Sequence, residues 1–219
     1  MKVWKVLSLA AAIVFAMTPA MATVINDGAN PVAEQDLWQI YNSLGYGPVG
    51  ADSNLIPQVS PDEVWTLLTS GQFIATVHFA GNTETLGFYQ PVGAPSSLTP
   101  IFTVLPSDGP VSTLVPAIAG PFGFYLTSTG YNGTQTWYSE SALNPGSQDH
   151  MIALATGNPD TVLLAWEDLP LFGSGPDPNY DSDYNDLVVT FTRVIPEPTS
   201  MVLLGMGIAG VVVRRMRRK

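Results

Sequence analysis

An acidic segment between residues 177 and 186 carries the residue types best suited to binding a metal ion. Its side-chain oxygens recur at nearly every second position, and the only basic residue nearby is Arg193. Ca²⁺ takes about six to eight hard oxygen ligands, which carboxylates, Asn amides and backbone carbonyls all supply. We therefore predict a structural Ca²⁺ site whose ligands are Asp177, Asn179, Asp181, Asp183, Asn185 and Asp186.

Other interpretations of this segment can be compared on chemistry. It is not an EF-hand, because Ser182 stands where that loop needs Gly and Val188 where it needs Glu. Zinc is disfavoured, since the chain has no cysteine and neither histidine is close in sequence. Mg²⁺ prefers fewer protein ligands and keeps several waters. An acidic, Asx-rich turn that holds no ion remains the alternative.

A second acidic pair, Glu167 and Asp168, follows the strand-like run 161–166. If that run pairs with the strand-like run 187–194 as a hairpin, the long connection returns Asp181–Asp186 close to Glu167 and Asp168, at the same end of the sheet. The pair is therefore added to the predicted calcium ligands. It could in principle act as an acid and a base in glycoside hydrolysis. Adjacent residues of a strand point to opposite faces, however, so we do not expect the two carboxyl groups to act together on one glycosidic bond.

These two stretches resemble a bacterial extracellular domain family of unknown function. The resemblance lies in the aromatic-Glu-Asp-Leu strand end, Trp166–Leu169, and in the Asp-x-Asp-Tyr-Asn-Asp-Leu-Val-Val motif, Asp181–Val189. The family occurs in surface proteins and in PEP-CTERM proteins. The resemblance implies an acidic motif suspected of binding calcium, and it implies no enzymatic activity.

The last 25 residues, 195–219, combine a Pro-Glu-Pro triplet, an apolar run and a basic tail. This order resembles the PEP-CTERM sorting signal, which implies recognition and removal by an exosortase after insertion in the membrane. The apolar run Thr199–Val213 would form a helix of about 22 Å, shorter than a hydrocarbon core of ~30 Å. A permanent tail anchor is the alternative. The predicted sorting motif is Pro196, Glu197 and Pro198, and the basic residues that would orient the segment are Arg214, Arg215, Arg217, Arg218 and Lys219.

The first 22 residues are typical of a signal peptide. Lys2 and Lys5 precede an apolar stretch, Val6–Met17, and residues 20–22 form an A-x-A cleavage site. We expect the mature chain to begin at Thr23 and to be exported; an uncleaved N-terminal membrane helix is the alternative. The absence of cysteine means that the domain is held together without disulfides.

The charge of the chain is very unevenly distributed. Seventeen of its 18 Asp and Glu lie between Thr23 and Pro196, with Arg193 as the one basic residue there, a formal charge of about −16. A nucleic-acid partner is excluded, because phosphate binding needs Lys and Arg. The excess of carboxylates must be offset by solvation or by bound cations.

The organisation predicted from local patterns is one all-β domain over residues 23–194, an antiparallel β-sandwich or jelly-roll-like fold with a helical N-terminal part at 23–71. Two short helices are expected there, one from Asn30–Pro31 to Gly45 and one from the capping box at 60–63 to about Gly71. Eight short strands follow, at residues 73–80, 85–91, 101–105, 122–127, 134–141, 151–155, 161–166 and 187–194.

The function expected from these features is non-enzymatic. We predict a calcium-stabilised protein of the cell surface or of an extracellular polysaccharide (biofilm) matrix, with the exosortase and the secretion machinery as partners. The alternative is a carbohydrate-binding module, for which Trp137 and Tyr138 beside the Asn132-Gly133 turn would be exposed glycan contacts. A hydrolase is the third possibility, and the sequence shows no nucleophile elbow to support it.

Overall fold

The computed structural model describes residues 23, 25, 35–67, 69–79, 81–130, 133–169 and 182–193. The predicted signal peptide, 1–22, and the predicted sorting segment, 195–219, lie outside these ranges. Within the ranges that are described, no helix is long and apolar enough to cross a membrane. The prediction of a C-terminal membrane helix falls on residues outside them.

Among the described residues of the N-terminal part, one α-helix is present, α1, over Leu37–Ser43. The Gln39 side chain accepts a hydrogen bond from the backbone N–H of Asp36 at 3.0 Å, which satisfies one donor at the start of the helix. Leu37, Ile40 and Tyr41 form its buried face, as the three-and-four spacing predicts. The predicted start at Pro31 lies outside the described residues.

The second predicted helix is wrong, because the chain forms a short strand at Trp65–Leu67 instead. The two end residues of this strand are buried and Thr66 between them is exposed, which is the period of a strand. The Glu63 carboxylate, expected to close the capping box at 60–63, instead accepts a hydrogen bond from the backbone N–H of Ser141 at 3.0 Å. A long-range contact has therefore replaced the local capping interaction.

All eight predicted strands are present, and two more, at 65–67 and 111–115, were missed. The second of these is an edge strand whose exposed Leu114 obscures the pattern. The ten strands are β1 (Trp65–Leu67), β2 (Gly71–His78), β3 (Thr83–Gln90), β4 (Ser97–Val104), β5 (Val111–Val115), β6 (Ile118–Gly130), β7 (Gly133–Tyr138), β8 (Met151–Ala155), β9 (Thr161–Trp166) and β10 (Leu187–Arg193).

The strands form two five-stranded antiparallel sheets. The first has the order β1-β6-β3-β4, with β7 also paired to β6, and the second has the order β5-β2-β10-β9-β8. In the second sheet, Leu187 at the start of β10 lies between Trp166 at the end of β9 and His78 at the end of β2. The segments that adjoin these three positions therefore meet at one end of the sandwich.

The two sheets pack face to face over an aromatic core. Phe73 of the second sheet contacts Phe124 of the first edge-on, with ring centroids 5.7 Å apart, and stacks on Phe191 at 4.5 Å. The outer face of the second sheet is covered by α1, whose Leu37 and Ile40 belong to a second apolar cluster. Burial on both faces explains why every residue of β9 is buried and why its sequence is a continuous apolar run.

Candidate metal centre at one end of the sandwich

Three carboxylates meet at the sheet end that is formed by β9 and β10. Glu167 and Asp168 follow β9 directly, and Asp186 directly precedes β10. One carboxylate oxygen from each residue lies within 4.8 Å of those from the other two. The predicted β9–β10 pairing and the predicted proximity of these three residues are therefore confirmed, while the expectation that Glu167 and Asp168 diverge is wrong, because both lie beyond the end of the strand.

Asp168 is held in place by donors from the first sheet and from the connection between β2 and β3. One of its carboxylate oxygens accepts hydrogen bonds from Asn82 and from Ser128, each at 2.9 Å. Its backbone N–H donates to the Asp186 carboxylate at 2.8 Å, and its carbonyl accepts from the Trp137 indole N–H at 2.8 Å. The Asp168 carboxylate is thus held by two neutral donors, in addition to its interaction with the Glu84 carboxyl.

A fourth carboxylate, Glu84, comes from β3 in the opposite sheet. Its side chain is fully buried (0% exposed), and neither of its oxygens accepts a hydrogen bond from a donor in the described part of the chain. Its nearest ionisable nitrogen is His78 Nε2, 3.5 Å from Oε2. A buried carboxylate without donors is costly, so its placement against the cluster calls for an explanation.

The electrostatics of the cluster follow from burial and from the lack of counter-charge. Burial raises the pKa of Glu84 well above its ordinary value, and the neighbouring Asp168 and Glu167 raise it further. Burial and the charges of Glu167 and Asp168 likewise raise the pKa of Asp186. Burial lowers the pKa of His78, so at neutral pH this ring is not a counter-ion.

No other cation is close among the residues that the structure describes. Their one Lys or Arg is Arg193, which is paired with Asp160. Arg193 ends β10, whereas the carboxylate cluster lies at the start of the same strand. No protein cation among the described residues therefore balances the cluster, and without a bound ion burial favours the protonated forms of Glu84 and Asp186.

The other predicted ligands behave differently. Asp183 and Asn185 are buried, and their side chains bond to each other at 2.7 Å. The Asn185 amide also donates to the backbone carbonyl of Gln35 at 3.0 Å, which ties this loop to the chain just before α1. Asp183 is not part of the three-carboxylate group. Asp177, Asn179 and Asp181 lie outside the described residues.

The predicted exposure of Trp137 is wrong. The indole is 4% exposed and stacks on the His150 ring, with centroids 3.8 Å apart and planes 8° from parallel. Burial lowers the pKa of His150 to about 4, so the stacked ring is neutral. Trp137 therefore helps to position Asp168, because its indole N–H donates to the Asp168 carbonyl. Tyr138, the other predicted glycan contact, is half-buried.

Glu84, Asn82 and Ser128 were not predicted from the sequence as part of the site. A signal for Glu84 existed, because the alternation of β3 places it on the same face as the buried Leu86. Ser128 could not have been found in this way, since it depends on the pairing of Glu84 with Ser128 between β3 and β6. Glu84 and Ser128 belong to the first sheet, so they contact the cluster only because the two sheets pack against each other.

The fold and the site together define a two-sheet β-sandwich with a buried acidic cluster at one end. Residues 119–193 match the family described as a domain of unknown function, DUF4114, and residues 194–218 match the PEP-CTERM protein-sorting motif. Both predicted resemblances are confirmed at this level. The chain thus carries the signal of a protein that is exported through the membrane, sorted by an exosortase and placed at the cell surface or outside the cell.

The remaining comparisons add little. No curated protein matches the chain. Among solved structures, the Chromobacterium violaceum lectin CV2L in complex with alpha-methyl-fucoside matches with 14% identity and a TM-score of 0.33, covering 62% of this chain and 99% of the lectin chain. At this level the likeness carries no argument about what this chain binds.

Proposed function

We propose that this is a non-enzymatic protein of the cell surface or of the extracellular matrix, and that Ca²⁺ stabilises its sandwich at the carboxylate cluster. The observation that carries the proposal is Glu84, a fully buried carboxyl group of the opposite sheet that interacts with Asp168 and Glu167 of the three-carboxylate group. A divalent cation would balance this charge and occupy the lone pairs that the protein leaves unused.

The donor set suits calcium better than the common alternatives. The four residues, Glu84, Glu167, Asp168 and Asp186, offer only carboxylate oxygens, which hard cations prefer. Calcium accepts carboxylates in one- or two-oxygen binding and tolerates irregular geometry, whereas Mg²⁺ demands a near-ideal octahedron and keeps water. Zinc sites are built mainly from Cys and His, whereas these four residues offer only carboxylates, and His78 Nε2 lies 3.5 Å from Glu84 Oε2.

An ion here would connect the two sheets. Glu84 belongs to β3 of the first sheet, while Glu167, Asp168 and Asp186 adjoin β9 and β10 of the second. Coordination by both groups would fix the distance between the sheets at this end, in a domain that has no disulfide to do so. The role of the ion would be structural, since its ligands are also the groups whose repulsion opposes closure of the sandwich.

The absence of an enzymatic activity is part of the proposal. Glu167 and Asp168 are 1% and 4% exposed, so a polymer chain cannot reach both carboxylates without rearrangement of the sheet end. Hydrolysis of a glycosidic bond needs two carboxyl groups that face the bond from opposite sides. Incubation of the exported protein with polysaccharides should give no release of reducing ends, and sustained release would contradict this part of the proposal.

The finer details of sorting are also proposed. We infer that the 195–219 segment inserts in the inner membrane, is recognised by an exosortase at Pro196–Pro198 and is removed. The acidic domain would then lie in the outer envelope or the polysaccharide matrix, where it would act by adhesion or structural association. Mass spectrometry of the exported protein should show a C-terminus near residue 195; an intact Lys219 would show that the tail is retained as an anchor.

Carbohydrate binding is the second candidate, and Tyr138 is the predicted contact that is still partly accessible. Its ring packs edge-on against Tyr89 at 5.2 Å, so only part of it could stack on a sugar. Binding on a glycan array that is lost in Tyr138→Ala would support this candidate. Binding that persists in that variant would show that any glycan site lies elsewhere.

Calcium binding is tested by titration calorimetry on the exported protein after treatment with EGTA. We expect one ion per chain, and we expect Asp186→Asn to weaken the affinity at least tenfold. The matched control is Glu140→Gln, which removes one charge beside Tyr89, at the other end of β3 from Glu84. Absence of binding, or equal affinity in Asp186→Asn and the control, would contradict the proposed site.

A further inference from the structure

Thr23, the residue predicted to begin the mature chain, forms hydrogen bonds with Asp149 and Gln58. The Thr23 hydroxyl donates to Asp149 Oδ2 at 2.6 Å, and the Thr23 backbone N–H donates to Gln58 Oε1 at 2.9 Å. The Gln58 amide in turn donates to the Thr23 carbonyl at 2.8 Å. Thr23 is thus held on both sides of its backbone and by its side chain.

The next contact fixes the register of this segment. Ile25 is 2% exposed and belongs to the apolar cluster under α1. Its backbone N–H and carbonyl both bond to the side-chain amide of Asn54, at 2.9 Å each. The segment cannot slide along the surface without breaking this pair, so the nitrogen of Thr23 is held at one position relative to Asp149.

The surroundings of Asp149 are acidic. Burial raises the pKa of the Asp149 carboxyl, and the charge of Glu63 adds to this. Burial and then the charge of Asp149 raise the pKa of Asp62 to about 7. Tyr184, whose hydroxyl donates to the Asp149 carbonyl at 2.6 Å, is the other titratable group that faces it. Arg193, the only Lys or Arg of the described ranges, is paired with Asp160 elsewhere.

We propose that Asp149 and Gln58 form a binding site for the α-ammonium group that signal-peptide cleavage creates at Thr23. Hydrolysis breaks the bond between the Ala22 carbonyl carbon and the Thr23 nitrogen. The hydroxyl of water goes to Ala22, which leaves as a carboxylate, and the nitrogen becomes an amine that is protonated at neutral pH. One of the three N–H groups keeps the bond to Gln58, and the others are available to Asp149.

The geometry permits this pair without rearrangement. The hydroxyl oxygen and the nitrogen of one threonine are three bonds apart, so the nitrogen lies within about 6 Å of the Asp149 carboxylate, a range in which opposite charges favour one another's ionised forms. The processed domain would then have a second cation beside Arg193. Cleavage therefore supplies a counter-charge that the precursor lacks, and we expect the mature domain to be more stable than the precursor. This inference depends on the cleavage site and is independent of the calcium site.

The test uses an unusual property of the sequence: no lysine lies between Lys5 and Lys219. Reductive ¹³C-methylation of the exported protein therefore labels Thr23 alone, or Thr23 and Lys219 if the tail is retained, and mass spectrometry identifies the site. NMR titration should give a Thr23 amine pKa at least about one unit above the ordinary 7.7–8.0. In Asp149→Asn it should return to the ordinary range.

The control variant is Asp160→Asn, which removes a carboxylate at the opposite end of the β8–β9 hairpin and should leave the Thr23 pKa elevated. If Asp149→Asn does not fold, acetylation of the wild-type amine replaces it and should lower the melting temperature by several degrees. An amine pKa in the ordinary range in the wild type, or no change in melting temperature on acetylation, would overturn the inference.

Discussion

The substitution Glu84→Gln should raise the stability of the ion-free protein and reduce the stabilisation that calcium adds. Without the ion, the change replaces a buried carboxyl, whose pKa is raised by burial and by Asp168, with a neutral amide that can donate to Asp168 without taking up a proton. Relief of an unsatisfied buried group is worth about 1–3 kcal/mol. For a domain of this size, that raises the melting temperature by about 2–4 °C per kcal/mol.

With saturating calcium, the same substitution removes a ligand. A tenfold weaker affinity reduces the stabilisation by about 1.4 kcal/mol, because the contribution of a bound ion follows the logarithm of its concentration relative to Kd. The variant should therefore gain about 3–6 °C less from calcium than the wild type gains. The two effects have different causes, and no single structural defect would produce both.

The assay is thermal unfolding followed by circular dichroism at pH 8, in EGTA and in millimolar Ca²⁺. Glu140→Gln is the matched control, since it removes one carboxylate near Tyr89 and leaves an acceptor for its hydroxyl. The control should respond to calcium as the wild type does. If Glu84→Gln lowers the melting temperature equally in both conditions, Glu84 has a packing role and the reasoning above is refuted.

Two further predictions concern the rest of the domain. The pKa of Asp62 is raised to about 7, first by burial and then by Asp149, so its contribution to stability is complete below about pH 4 and is lost as the pH rises through 7. Asp62→Asn should therefore gain stability relative to the wild type between pH 5 and pH 8 in urea unfolding; a constant difference would contradict the assignment. Phe73→Ala removes a fully buried ring from the inter-sheet core and should cost about 3–5 kcal/mol in the same assay. A loss below about 1 kcal/mol would show that the core closes over the gap.

The strands were predictable because each short run of β-branched and aromatic residues is consistent with its tertiary environment. The runs at 151–155 and 161–166 were predicted with the same bounds that the structure shows. The segment at 60–71 failed because its capping-box pattern is a local signal, whereas Trp65 and Leu67 are fixed by pairing with β6. The free energy of a local helix preference is small compared with the free energy of burying two large apolar side chains.

Only the part of the candidate site that adjoins β9 and β10 was predictable from the sequence. Glu167, Asp168 and Asp186 are linked by a single hairpin, so their convergence follows from the sequence once β9 and β10 are paired. Glu84 is 83 residues before Glu167 and lies in the other sheet, and no local pattern relates the two. Contacts between sheets depend on how they stack, which the order of residues along one strand does not specify.

The central claim is that a calcium ion binds between the two sheets at Glu84, Glu167, Asp168 and Asp186. A crystal structure of the exported protein grown in Ca²⁺, with the ion identified by anomalous scattering, tests it most directly. We predict an ion within about 2.3–2.6 Å of oxygens from at least Glu84, Asp168 and Asp186. A well-ordered cluster without an ion in saturating calcium, or an ion bound only by residues 177–181, would contradict the claim.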